Sequence, residues 1–123
     1  MDLKAFLRGN VRSDRFGHKY HVHMAFEVLR RTSFPTAAAA YSHALKLMAA
    51  QVGRPEAYHE TITLAFLSII GERSANSEHV DFDAFAEANP DLLDKSVIER
   101  WYAPERLSCD LARRTFLLPD QCR

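Results

Sequence analysis

The stretch DRFGHKYHVHMAFEVLRR, residues 14–31, decides how the rest of the chain is read. Its apolar residues recur three and four apart instead of alternating, which is the period of an amphipathic helix and not of a strand. Ser13 is placed to cap the start, and Arg30 and Arg31 fall in the last turn, where the helix dipole favours cations. At about 100° per residue, His18, His21, Val22, Ala25, Val28 and Leu29 share one arc, while Lys19, His23, Glu27, Arg30 and Arg31 lie opposite. The apolar arc is the one a folded domain buries. Two histidines three residues apart are therefore carried toward a core, side by side, and His23 is carried toward water.

Working outward, Phe34-Pro35-Thr36 breaks the chain, and an alanine-rich segment, Thr36–Val52, follows as a second helix. Gly53 suits the left-handed cap after it, and Pro55 suits the first position of a third helix, Pro55–Arg73. Ser74–Val80 reads as a polar loop. Asp81 caps a short helix that ends before Asn89-Pro90, Asp91–Tyr102 reads as a further helix, and Leu107–Phe116 as the last one. No Val/Ile/Thr-rich run sits between turn signals, so the fold class is all-α: a small bundle of three longer helices plus short C-terminal helices. Residues 1–123 make one domain, with 1–12 and 117–123 read as loosely held.

Composition narrows the functions available. Lys plus Arg number 16 and Asp plus Glu number 16, and no basic run concentrates charge, so neither nucleic acid nor an anionic membrane is an expected partner. Met1–Asn10 lacks the continuous apolar core of a signal peptide, and no segment is long and apolar enough for a membrane span. Cys109, placed in a helix, and Cys122 match no metal or redox spacing and read as reduced thiols, which makes the expected location cytoplasmic. There is no glycine-rich phosphate loop, nucleophile elbow or dinucleotide fingerprint.

Histidine carries what chemistry remains. On the third helix His59, Ile62, Thr63, Phe66, Ile69 and Ile70 fall on the inner stripe, with Glu56 and Glu60 at its edge. The second helix buries Ala37, Tyr41, Ala44, Leu45, Met48 and Val52 and turns His43 outward, while His79 sits in the loop. His18, His21 and His59 can therefore meet if the first and third helices are neighbours. Three imidazoles with Glu60 make a donor set for zinc or iron, with Glu60 as fourth ligand or as the base acting on a bound water. Asp14, one turn before His18, is a candidate outer partner for its ring or simply a helix-start charge. The HE pair at 59–60 has Thr63 where a zincin motif needs a second histidine, so this is no metalloprotease signature.

Two other readings use the same residues. Tyr20, Tyr41, Tyr58 or Glu60 can satisfy the inward imidazoles in a structural network. Alternatively the His/Glu cluster serves a metal-free acid/base site or a pocket for a small molecule, enclosed by Phe26, Phe66 and the aromatic C-terminal segment. Trp101, Tyr102, Phe82 and Phe85 read as core and lid packing. A third class of function is a homodimeric interaction module that pairs the alanine-rich stripe of the second helix with its copy.

The motifs Phe16-x-His18-x-x-His21, Tyr58-His59-Glu60-Thr61, Asn89-Pro90-Asp91-Leu92-Leu93 and Trp101-Tyr102-x-Pro104 resemble an uncharacterised family of small bacterial all-helical proteins. That family carries an FxHxxH motif and a (K)YHET motif, and the likeness spans about Phe16 to Asp120, with Ala57 in place of the lysine. The resemblance implies that His18, His21, His59 and Glu60 belong to one recurring pattern, and it implies nothing about substrate.

Overall fold

Three longer helices frame the molecule, as their periodicity requires. The computed structural model describes residues 3–9, 17–76, 78–79 and 81–121, so Ser13, Asp14, Phe16 and Cys122 lie outside the described residues. In order the α-helices are α1 Leu3–Leu7, α2 His18–Leu29, α3 Phe34–Gln51, α4 Glu60–Ala75, α5 Phe82–Ala88, α6 Pro104–Ser108 and α7 Asp110–Arg114. Among the described residues there is no strand, and no helix is long and apolar enough to cross a membrane.

The helix boundaries depart from the sequence expectation where local side chains compete with the backbone. α2 begins at His18 with Gly17 at its cap, four residues later than expected. In α3, Pro35 does not break the chain; it lies in the first turn, behind Ser33 as N-cap, where its missing N–H costs nothing. The far end of α3 follows expectation: Gly53 has φ +74°, its N–H bonds Ala50 O at 3.0 Å, and Arg54 N–H bonds Ala49 O at 2.9 Å. This pair of bonds is the Schellman closure that an L side chain at position 53 would strain.

Pro55–Ala57 is a separate 3₁₀ turn, and α4 starts only at Glu60, because His59 is its N-cap. Asp91–Tyr102 is likewise not one helix. Pro90–Leu93 and Lys95–Arg100 are two 3₁₀ turns, separated by Asp94, whose carboxylate accepts from both Ser96 N and Ser96 Oγ at 2.9 Å. Local capture of the backbone by an Asp side chain is what ends helices at such residues. Asp81 does cap α5, accepting from Ala84 N at 2.9 Å. The last expected helix is split at Cys109, which is exposed and caps α7 instead of lying inside an apolar helix.

α4 is the central rod. α2, α3 and α7 all pack against it, so it buries Thr61, Ala65 and Leu67 as well as Thr63, Phe66 and Ile70. A single inner stripe underestimates a helix covered on several sides. Residues 3–9 and 117–121 are tied to the rest of the fold. Phe6 of α1 is fully buried, against Tyr41 and Tyr20 with ring centroids 5.5 and 5.9 Å away. Residues 117–121 are strapped down: Tyr102 Oη donates to Leu117 O at 2.8 Å, Arg106 Nε to Leu118 O at 2.8 Å, and Asp120 N and Gln121 N to Trp101 O.

Thr61 anchors that strap from below. Its fully buried Oγ1 accepts from Leu117 N at 3.1 Å and shares its proton between Thr115 O at 2.7 Å and Ala112 O at 2.8 Å. Thr61→Val keeps the shape and strands all three partners, so an expected loss of about 2 kcal/mol should appear in urea unfolding. An unchanged midpoint would show that the strap contributes nothing to stability.

The alanine stripe expected to pair two copies is already used within the chain. Ala37 and Ala44 of α3 are fully buried, since α1, α2 and α4 lie against that helix. Small side chains let these helices approach closely, so this part of the stripe is not an exposed apolar face, whereas Val52 at its far end, expected to be buried, is 46% exposed because α3 closes there.

Candidate functional site

The condition set by the sequence, that the two histidine-bearing helices be neighbours, is met: α2 packs on α4. Between them and α3 lies a half-open cavity of about 470 Å³. His18, His21, Tyr58 and His59 stand in its wall together with Val22, Met48, Ile62 and Phe66. That volume falls inside the usual range for small-molecule sites, roughly 300–1,000 Å³.

Each polar wall residue has a distinct state. His18 Nε2 donates to Leu92 O at 2.8 Å, and the ring lies edge-on to Phe66 with centroids 4.8 Å apart. Leu92 is held in place by its neighbour Asp91, which takes a two-pronged bond from Arg73 of α4 at 2.6 and 2.8 Å and a third from Arg100 at 3.0 Å. Burial lowers the pKa of His18, and Lys95 adds to that, against the opposing effects of the Leu92 carbonyl and Asp94.

His21 is the unpaired member. Its Nε2 is buried and has no hydrogen-bond partner. Burial, with the proximity of His18 and Lys95, lowers its pKa from the ordinary 6.5 to about 4, so it is neutral at physiological pH. The backbone around it is well fixed, with Tyr41 Oη donating to His21 O at 3.0 Å, and burial holds the Tyr41 hydroxyl protonated well above its ordinary range. Buried polar atoms are almost always satisfied, because an unmade bond costs about 1–3 kcal/mol.

His59 has a structural task at both nitrogens. Nδ1 accepts from Ile62 N at 3.1 Å, capping α4, which leaves the proton on Nε2 to be donated to Leu107 O at 2.7 Å. Neither nitrogen keeps a free lone pair. Glu60 is engaged elsewhere: its Oε1 accepts from Tyr58 Oη at 2.6 Å, with Lys46 Nζ 4.0 Å away. Burial and the Glu60 carboxylate raise the Tyr58 pKa, so that hydroxyl remains a donor. The expected set of His18, His21, His59 and Glu60 is thus brought into one neighbourhood but not onto one point. Among the described residues, no group of three or more His, Cys, Asp or Glu side chains gathers that could hold a metal ion.

Two of the remaining histidines pack against phenylalanine rings. His23, expected in water, is half-buried and stacks on Phe82 with centroids 4.1 Å apart while bonding Glu27 at 3.2 Å. His79 meets the Phe85 ring edge-on at 5.7 Å, and His43 is exposed as expected. The sequence reading missed Arg54 and Lys95, which also line the cavity. Both sit beside turn signals, Gly53-Arg54-Pro55 and Asp94-Lys95-Ser96, and only the folding of those turns brings them to the site. Compared with protein-family models, curated proteins and solved structures, the chain matches none of them.

Proposed function

We propose that this chain is a small-molecule-binding protein whose site is the cavity between α2, α3 and α4. The observation that carries the reading is that His21, a wall residue of a largely apolar cavity, keeps a buried Nε2 without a partner. A ligand that bonds this nitrogen removes a cost the fold otherwise bears, which gives specificity for a polar end, while Val22, Met48, Ile62 and Phe66 receive an apolar body. His18 and His59 stand in the same wall, so the three histidines expected to turn inward line one cavity, which supports the same reading. Binding is favoured over acid/base catalysis because a proton-transfer group works best with a pKa near the operating pH, and His21 lies well below it.

The test is thermal and urea unfolding with decanol as a neutral probe. Saturable stabilisation of about 2.7 kcal/mol is expected at a free concentration a hundred times Kd. It should vanish in Ala49→Phe, which fills the cavity. Val52→Trp, at a position 46% exposed on the same wall, serves if the first variant does not fold. No saturable response to any amphiphile would overturn the reading. Stoichiometric zinc or iron in untagged protein, with stabilisation by either ion, would replace it with the metal site expected from the sequence.

A further inference from the structure

The cavity has a charge polarity as well as an apolar wall. Besides Thr63 and Tyr41, whose hydroxyl donates to His21 O, its polar side chains are His18, His21, Tyr58, His59 and the two cations Arg54 and Lys95, with no Asp or Glu among the described lining residues. Lys95 acts on the rings of both His18 and His21, so its ammonium is within electrostatic reach of the histidine end. The positive end of the α2 dipole lies at that same end, since α2 begins at His18. Asp94, outside the lining, acts on the His18 ring in the sense opposite to Lys95 while accepting two bonds from Ser96, and Glu60 accepts from Tyr58.

We propose that the ligand is an amphipathic monocarboxylate with an aliphatic tail, its headgroup beside His21, His18 and Lys95 and its tail along Val22, Met48, Ile62 and Phe66. This deepens the proposed function and rests on it. A carboxylate is an acceptor that can take a hydrogen bond from His21 Nε2 in the tautomer that protonates this atom, and it finds a lysine countercharge in the same wall. A monoanion fits better than a phosphate because the wall offers two cations and no glycine-rich loop of the kind that cradles more highly charged groups. An alkylammonium would meet two cations and no lining carboxylate.

Three probes with the same tail separate these cases on the intact chain: decanoate, decanol and decyltrimethylammonium, each below its micellar concentration. Decanoate is expected to bind at least tenfold more tightly than decanol at low salt, and the cation more weakly than either. Lys95→Gln, at an exposed position, should bring the affinity for decanoate close to that for decanol measured on the same variant; Arg54→Gln should do so less. A decanoate-induced shift of the His21 ring resonances locates the headgroup. Equal affinity for decanoate and decanol, or an advantage that survives in Lys95→Gln, would overturn the carboxylate assignment and leave the pocket standing. Failure of all three probes would overturn the proposed function itself, so the two failures are told apart.

Discussion

His21→Leu is expected to make the protein more stable and unable to discriminate ligands. At neutral pH the wild-type ring keeps a buried nitrogen without a partner, and replacing it with an apolar side chain of similar volume should raise stability by about 1–3 kcal/mol. The gain should grow on acidification. Between pH 6.5 and about 4 the unfolded chain binds a proton at this histidine and the native chain does not, so wild-type stability falls as pH falls through that window. Each tenfold difference in proton affinity between the unfolded and native chains is worth about 1.4 kcal/mol, so the loss reaches roughly 3 kcal/mol by pH 4, and it is absent from the leucine variant.

Other groups respond to acid too. The Arg73 guanidinium beside Asp91 depresses that carboxyl, whose contribution is present above its ordinary range and is lost as pH falls through the lowered value. The quantity to measure is therefore the difference between wild type and variant, from urea midpoints at pH 7, 5.5 and 4.5. Parallel curves would mean that His21 is not a buried neutral group. A polar side chain that weakens the fold and is still present in its cavity is the expected mark of a site kept for binding.

His59→Ala is expected to cost about 2–4 kcal/mol with or without added metal. About 1 kcal/mol comes from losing the cap on Ile62 N, and about 1–3 from leaving Leu107 O without its donor. His59→Asn should recover the cap alone, because its side-chain oxygen can accept from the same N–H, and so regain about 1 kcal/mol. The tie to Leu107 predicts a second effect: proteolysis within 104–121 should accelerate in both variants, since α6 loses its link to the start of α4. Zinc or ferrous iron should leave the wild-type midpoint unchanged. A metal-dependent gain that His59→Ala abolishes would show that this ring is a ligand and not a cap.

Much of the fold was legible from local signals. The period of the apolar residues gave α2, α3 and most of α4; Gly53 and Asp81 marked an end and a start because a left-handed cap and an N-cap each demand particular chemistry. The segment Asp91–Tyr102 was misread because helical periodicity is insensitive to a single Asp94 turning its carboxylate onto the next turn. At His59 the error was of the same kind. A residue given a place on the helix wheel is the cap before the helix, and its ring is spent on backbone partners 3 and 48 residues away.

The sequence by itself determined that this is an all-helical chain, one buried stripe of each long helix, and that His18 and His21 travel together on one of them. These are consequences of spacing along a rod of fixed geometry. Tertiary structure alone decided which imidazole is satisfied and which is not. Hydrogen-bond partners such as Leu92 O and Leu107 O come from segments 74 and 48 residues distant, and no local pattern encodes where they arrive. It also decided that Lys95, carried by a 3₁₀ turn, completes a cavity with α2, α3 and α4, which sets the charge of the site.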